Sequence, residues 1–492
     1  MLTSVSQTPS LRPLAQTAPT NSAAVANTPT PDGVALGQSS PELGLMQPVA
    51  GLTPSTAAAP AADASSKATV GDWAGFQTFL DKNTGSVARP GSSVTPLIDG
   101  QTAFPKMLDT IDNAKSSVNW SVFEFDADKT GEEVAQHLAA AADRGVNVRL
   151  LYDGFGSKAT DSSPQGKQMM QFLKDHNVQI EERKEDSGHI THRKILTVDG
   201  TTGFIGGMNV GDDYSTTWHD IHSEVTGPAV GDLQNLFVTQ WKSLGGNISD
   251  ANQASLFPKL GPTGDDNARI IGHIGGQDQR MKKAYLQAID TSEKSITIAD
   301  PYVTDEDVFS HLCEAAKRGV DVRLILPQQN DQQGPKVIEH THYAQLADAG
   351  VKIYEYKGRP MAHDKVGVFD HRVATIGSSN LDTLSLQVND EANVWVDNTD
   401  VAGKLESALV NDESQSDPVN SKLPGWIAPI GDGAVGLGGK VGDTLIGTGA
   451  EIGVGGINAG HQVTGVVDKV GGGLKGAAGA ISHAGGWILS KF

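Results

Sequence analysis

His192-Arg193-Lys194-Ile195-Leu196-Thr197-Val198-Asp199 returns later in the chain as His363-Asp364-Lys365-Val366-Gly367-Val368-Phe369-Asp370. Both stretches read H-x-K-x-x-x-x-D. The match continues downstream in one register. Fourteen residues after each His stands a glycine (Gly206, Gly377), seventeen after it an asparagine (Asn209, Asn380), and twenty-eight after it an acid (Asp220, Glu391). A single such motif is weak evidence in a chain with 14 His, but two copies sharing Gly, Asn and acid are not accidental.

The flanking sequence repeats as well. Upstream of the first motif, Phe104, Met107, Leu108 and Ile111 predict a helix with Pro105 in its first turn, and Ser117 to Phe123 a strand. Glu132 to Arg144 reads as a helix, Val146 to Leu151 as a strand, Gln168 to His176 as a helix and Val178 to Ile180 as a strand. The second half gives helices at 284–289 and 308–318 and strands at 295–298 and 319–325. Ala141-Ala142-Asp143-Arg144-Gly145-Val146 and Ala315-Ala316-Lys317-Arg318-Gly319-Val320 are the same landmark, with Gly145 a helix C-cap. A repeat this long is a duplicated domain rather than a solenoid. The predicted fold is therefore α/β: duplicated α/β sandwich domains around a largely buried sheet, related by a pseudo-twofold. The expected division is a disordered leader at 1–70, a first domain at 71–255, a second at 256–412, and a linker with a Gly-rich tail at 413–492. The join falls near 244–266, and a polar linker at 411–424 ends the folded part.

Composition narrows the function. The 492 residues carry a formal net charge of -20, which disfavours bulk binding to nucleic acid or to anionic membrane. Cys313 is the only cysteine, so neither an internal disulfide nor a thiol-rich metal site is available. No run of apolar residues has the length of a transmembrane helix, and the N-terminus does not read as a secretory signal peptide. Residues 1–70 are rich in Ala, Pro, Ser and Thr and lack an apolar period. With the Gly-rich tail, that leader suggests an exported bacterial effector, or otherwise a cytoplasmic protein. In the tail, Val463, Val467, Val470, Leu474, Ala477 and Ile481 keep a helical stripe that a membrane surface could accept.

The chemistry follows from residue types. On a strand His192 and Lys194 share a face, as do His363 and Lys365. Lys194, Lys365, Asn209 and Asn380 suit binding of phosphate oxygens and stabilisation of transition-state charge. One His attacks phosphorus and a second protonates the leaving alcohol. One motif copy supplies one His, so the two copies must meet. Asp220 and Glu391 are placed to orient the two imidazoles. His192, Lys194, Asp199, His363, Lys365 and Asp370 form the candidate catalytic set. Within it Asp199 and Asp370, at the odd offset and at a strand end, support the structure rather than react. No metal ligand set and no cofactor motif is evident. His340 and His342 read as a polar loop beside the site, and His189, His219 and His222 as loop or structural residues.

These motifs resemble those of the phospholipase D superfamily over residues 100–400. Gly206-Gly207-Met208-Asn209 and Trp218-His219-Asp220 in the first half, and Gly377-Ser378-Ser379-Asn380-Leu381-Asp382 and Glu391 in the second, resemble its bacterial phospholipase D and cardiolipin synthase branch. The resemblance implies a two-lobed fold with one site at the lobe interface, no metal, and a phosphohistidine intermediate. It further implies His192 as nucleophile and His363 as acid/base. Leu384 stands where the family has Arg, and Asp364 where a small residue is common. The implied activity is hydrolysis or transfer of phosphatidyl groups at a phospholipid membrane surface, with no obligate protein partner. A superfamily nuclease, and a membrane-disrupting protein acting through its tail, are the alternatives. The acidic balance makes nucleic acid the weaker partner.

Overall fold

The computed structural model describes residues 67–184, 189–273 and 278–419. Residues 1–66 of the expected disordered leader and 420–492 of the tail lie outside them. A helix α1 (Trp73–Asn83) is followed by a first set of elements: β1 (Arg89–Ile98), α2 (Gly100–Asp112), β2 (Ser117–Val122), α3 (Lys129–Asp143), β3 (Asn147–Asp153), α4 (Lys158–Ser162), α5 (Pro164–Asp175), β4 (Gln179–Arg183), β5 (Ile195–Val198), β6 (Thr202–Gly206), β7 (Ile221–Thr226) and α6 (Val230–Ser243). After α7 (Asp250–Leu256) the set recurs: β8 (Asp266–His273), α8 (Arg280–Thr291), β9 (Ser295–Ala299), α9 (Glu306–Lys317), β10 (Asp321–Pro327), α10 (Gln333–Ala349), β11 (Lys352–Tyr356), β12 (Val366–Phe369), β13 (Val373–Gly377), β14 (Glu391–Asp397) and α11 (Thr399–Ser414). A short β15 (Ser416–Pro418) closes the edge on β11.

All fifteen strands form one sheet, ordered β15-β11-β10-β9-β12-β13-β14-β8-β1-β7-β6-β5-β2-β3-β4. Reading outward from the centre, β1-β7-β6-β5-β2-β3-β4 and β8-β14-β13-β12-β9-β10-β11 are the same order. Equivalent strands β1 and β8 pair antiparallel at the middle, as a pseudo-twofold requires. In each lobe the outer three strands are parallel and joined by helices, and the inner ones are antiparallel.

One apolar cluster crosses the lobe boundary. It packs Val94, Ile195 and Ile205 of the first lobe with Val366, Val368 and Ile376 of the second, under Leu233 of α6 and Leu405 of α11. Each fully buried aliphatic side chain contributes about 1.5–3 kcal/mol, so the two lobes are welded rather than hinged. The opposite face carries one cluster per lobe. α1 precedes the first lobe in sequence, yet Trp73, Phe76 and Leu80 pack in the second lobe's cluster.

The repeated Arg-Gly landmark has a physical reason. Gly145 and Gly319 take φ of +88° and +94° after α3 and α9, a conformation that costs glycine little. The preceding Arg144 and Arg318 each donate to a last-turn carbonyl of the neighbouring helix, Ile111 O and Ile289 O, both at 3.0 Å. Asp128 and Asp305 cap the starts of α3 and α9 by accepting from Gly131 N, and from Asp307 N and Val308 N.

Several expectations change. Pro105 sits inside α2, because that helix begins earlier, at Gly100. The join holds α7, and 411–418 finishes α11 and adds β15 rather than forming a linker. His340 and His342 lie on α10, where His342 stacks on Phe309 at 4.2 Å. The motif strands start only at Ile195 and Val366. The residues before them leave their own sheet and pair with the other lobe: His192 N donates to Asp390 O (3.0 Å), and His363 N to His219 O (2.7 Å).

Asp199 and Asp370 both adopt φ of +53° in the turn after the motif strand. Asp199 accepts from the backbone N–H groups of Lys115, Ser116 and Ser117 and from the Ser116 hydroxyl, at 2.7–2.9 Å. Burial opposes its ionisation, but these donors outweigh it and hold the carboxyl below its ordinary value. Asp370 accepts from Glu293, Lys294 and Ser295 N–H and from Trp73 Nε1. Each lies five positions beyond its motif Lys, across a four-residue strand, roughly 16 Å at 3.3 Å per residue. Both tie the motif strand to the loop before β2 or β9. Asp199→Ala should lower stability in urea unfolding by about 2 kcal/mol, discounted for partial exposure. Asp199→Asn, which keeps an acceptor and tolerates positive φ, should lose less.

Candidate active site

The pseudo-twofold brings both motifs to the lobe boundary, where backbone bridges join Thr191 to Asp390 and His219 to Ala362. Each imidazole is held by the acid of the other lobe. His192 Nδ1 is 2.9 Å from Glu391 Oε1, and His363 Nδ1 is 2.8 Å from Asp220 Oδ2. All four side chains are buried. The equal sequence offset of the two acids therefore marks equivalent positions, and each serves the opposite copy.

Lys194 and Lys365 anchor their ammonium groups on the carbonyls of His192 and His363, both at 2.7 Å. Lys365 Nζ also lies 3.1 and 3.2 Å from the His363 ring nitrogens. Burial, opposed in part by Glu391 and reinforced by the other lysine, lowers the proton affinity of Lys194; Lys365 is lowered by burial too. Two ammonium groups crowded without a full counter-charge suit an incoming anion. Asn209 Oδ1 accepts from Glu124 N (3.2 Å), and Asn380 Nδ2 donates to Ser385 Oγ (3.3 Å).

The two dyads differ in proton content. Burial pushes His192 down to about 4 against the pull of Glu391, so its imidazole is neutral at pH 7. Burial would raise Glu391, but His192 and then Lys194 and the Ser378 hydroxyl hold it below the ordinary range, so it is ionised. An ionised carboxylate only accepts, which places the proton of His192 on Nδ1 and leaves Nε2 as a free base. In the other dyad burial, helped by the charge of Asp364, pushes Asp220 up to about 8 against the pull of Lys365. His363 is lowered by burial and by both lysines. Burial thus favours a proton on Asp220 that Glu391 does not hold.

Two substitutions between the copies explain the difference. Ser378 donates to Glu391 Oε2 at 2.5 Å, and its counterpart is Gly207. A Cβ at Gly207 would come within 2.2 Å of Asp220 Oδ1, so no side chain fits there. Arg193 donates to Glu391 O (3.3 Å) and His273 O (2.6 Å), whereas its counterpart is Asp364, buried beside His219 and Asp412. Asp364 thus lies on the far side of its strand, and its charge acts on Asp220.

Among the described residues, His219, Asp364 and Asp412 could hold a metal ion by proximity. Both ring nitrogens of His219 are already engaged by carboxylates. His219 Nδ1 contacts Asp99 at 2.7 Å and Nε2 contacts Asp412 at 3.1 Å. Burial opposes its protonation, but those two carboxylates and Asp364 raise it to about 11. His189 joins Arg183 around Asp390 at the equivalent place. His222 is buried on β7, lowered to about 3 by burial and Lys194.

Residues without a signal in the motif spacing also line the site. The Phe123 ring meets His192 edge-on at 5.1 Å, with Lys194 Nζ 5.1 Å from its centroid. Tyr214, Trp218 and Tyr302 surround His363 at 5.3, 5.4 and 6.5 Å. Leu384, in place of the family Arg, is exposed.

A family model described as "Cardiolipin synthase, PLD-like domain" matches residues 107–241 and 285–412. The cardiolipin synthase of Alkalihalophilus pseudofirmus is 34% identical over 349 residues, covering 68% of this chain and 68% of that protein. That of Geobacillus thermodenitrificans is 31% identical over 345 residues, covering 67% and 68%. The fold is similar to the phosphatidylserine synthase of Haemophilus influenzae, with TM-score 0.58 at 11% identity over 73% of this chain and 96% of that one. The expected setting, a soluble exported effector or otherwise a cytoplasmic protein, is overturned by these relatives, which are named cardiolipin synthases. Among the described residues no helix is long and apolar enough to cross a membrane.

Side-chain nitrogen NMR should find His192 neutral, with its proton on Nδ1, down to about pH 4. The His363–Asp220 pair should lose its extra proton near pH 8, and Asp220→Asn should abolish that step.

Proposed function

Since this chain belongs to the phospholipase D superfamily, in its cardiolipin synthase-like branch, we propose that the crossed dyads transfer phosphatidyl groups through a phosphohistidine. It is an enzyme of phospholipid phosphodiester chemistry. The unequal proton content of the dyads carries the finer reading, because environments that push paired groups apart assign base and acid.

His192 Nε2 attacks phosphorus, and the bond to the headgroup oxygen breaks. His363 Nε2–H passes its proton to that oxygen while the Asp220 proton moves to His363 Nδ1. Glu391 balances the positive charge that develops on the phosphorylated His192. Lys194, Lys365, Asn209 and Asn380 donate to the non-bridging oxygens. Water or an alcohol then attacks phosphorus and gives its proton to His363 Nε2. The Nδ1 proton returns to Asp220 and the phosphorus–nitrogen bond breaks, so both dyads regain their starting state.

A nuclease reading is weaker. Glu124, which feels Lys194, gathers with Asp126, Asp128, Asp212 and Asp213 on the first lobe, and burial with this crowding pushes Asp126 up to about 8. Such a rim repels a polyanion. The proposed tail activity concerns residues outside the described ones.

Leaving groups separate the two histidines. With a lipid whose headgroup is an ordinary alcohol, His192→Ala and His363→Ala should each lose roughly 10⁴-fold in kcat/KM. With a 4-nitrophenyl leaving group, which departs without a proton, His363→Ala should recover to within about 10-fold of wild type and His192→Ala should not. Equal losses on both substrates would remove the assignment. The pH profile of kcat/KM should be a bell. Its acid limb lies near 4, where His192 gains a proton and stops being a nucleophile. Its alkaline limb lies near 8, where the His363–Asp220 pair loses the proton it must donate.

A further inference from the structure

Arg149 on β3 is 1% exposed, and among the described residues no carboxylate pairs with it. Its Nη1 donates to Asn119 Oδ1 at 3.1 Å, and its Nε is buried without an acceptor. Burial depresses its proton affinity and no charged neighbour opposes that. Arg193 and Arg269 are buried as deeply, and both are partnered, the first by two carbonyls and the second by Asp81 at 2.6 Å. A guanidinium keeps its charge, so it cannot relieve the cost of burial by losing a proton.

The duplication supplies the comparison. Ser117 pairs with Asn147 and Asn119 with Arg149, as Ser295 pairs with Asp321 and Thr297 with Arg323. Arg323 is thus the counterpart of Arg149, and it is held by Asp321 at 2.8 Å and by Glu413 of α11 at 2.9 Å. In the first lobe Asn147 takes the place of Asp321, and its amide is engaged by Ser116 O (3.1 Å) and Asn252 Nδ2 (3.3 Å). The helix α6 offers Gln234. Its Oε1 accepts from Asn119 Nδ2 (3.3 Å) and from the Thr197 hydroxyl (2.9 Å), which leaves Nε2 buried without an acceptor. Ser117 Oγ, on the same face of β2 two residues before Asn119, is buried and unpartnered as well.

We propose that Arg149, Gln234 and Ser117 bind a small monovalent anion, of the size and charge of chloride, as the counter-charge that the second lobe builds from Asp321 and Glu413. The groups gathered around Asn119 are two N–H donors and one hydroxyl, so all three can point hydrogens at one anion. A water there would have to aim its own hydrogens among donors, and it brings no charge to offset the guanidinium. The three side chains are at most 1% exposed, which favours a monatomic ion over a larger oxyanion. The ion braces the motif strand from beneath, because Thr197 of β5 bonds to Gln234.

The test follows thermal unfolding of the full-length protein, dialysed into sodium gluconate, as chloride replaces gluconate at constant sodium. Wild type should gain about 3–5 °C, saturating rather than rising linearly. Arg149→Met keeps an apolar stem without the charge. It should show no chloride-dependent gain and should unfold in gluconate no earlier than wild type, since it leaves no uncompensated buried charge. Arg323→Met should keep the gain. A merely structural Arg149 would instead lower the variant's Tm equally in both salts. Bound chloride is also counted by ion chromatography after dialysis and denaturation, so that one ion retained per wild-type chain supports the inference even where the Tm does not move. An equal response in wild type and Arg149→Met overturns it, as does a wild type with neither a saturating gain nor a retained ion.

Discussion

Everything at the centre of this molecule depends on two hydrogen bonds that cross between lobes, His192 to Glu391 and His363 to Asp220. Neither lobe holds a complete dyad. Without Glu391 the buried Nδ1 of His192 would lose its partner, at a penalty of about 1–3 kcal/mol. The shared sheet, the apolar cluster across its middle and the backbone bridges at Thr191 and His219 fix the distance these bonds require. Residues just before the motif strands leave their own sheet so that the histidines reach the partner lobe.

Duplication made two equal dyads, and small local changes made them unequal. A hydroxyl at Ser378 favours ionised Glu391, while Gly207 leaves no room for a counterpart beside Asp220. A guanidinium at Arg193 faces one dyad, and a carboxylate at Asp364 faces the other. Each change is modest, but in a buried site each acts in a weakly screening medium and moves proton affinity strongly. Two histidines at equivalent positions thereby sit beside acids whose proton affinities are moved in opposite directions.

The charge pattern is graded outward from the site. Two buried lysines sit between the paired histidines, aromatic rings lie on the His363 side, and acids gather on the first lobe. The net charge of -20 is thus not spread evenly with respect to the chemistry.

The sequence by itself determined the duplication, the α/β alternation, and the set of histidines, lysines, asparagines and acids, because each repeats at a fixed offset. It also separated Asp199 from the reacting groups, since an odd offset on a strand turns a side chain away. It did not reveal that the acids exchange partners, because equal offsets look the same whether a contact stays within a copy or crosses. Nor did it place Pro105 inside α2, α1 on the second lobe, or Tyr214, Trp218 and Tyr302 around His363. Those contacts join residues far apart in the chain, and only the closing of one sheet about a pseudo-twofold decides them. The proton states lie deeper still, because they follow from burial, which no local pattern encodes.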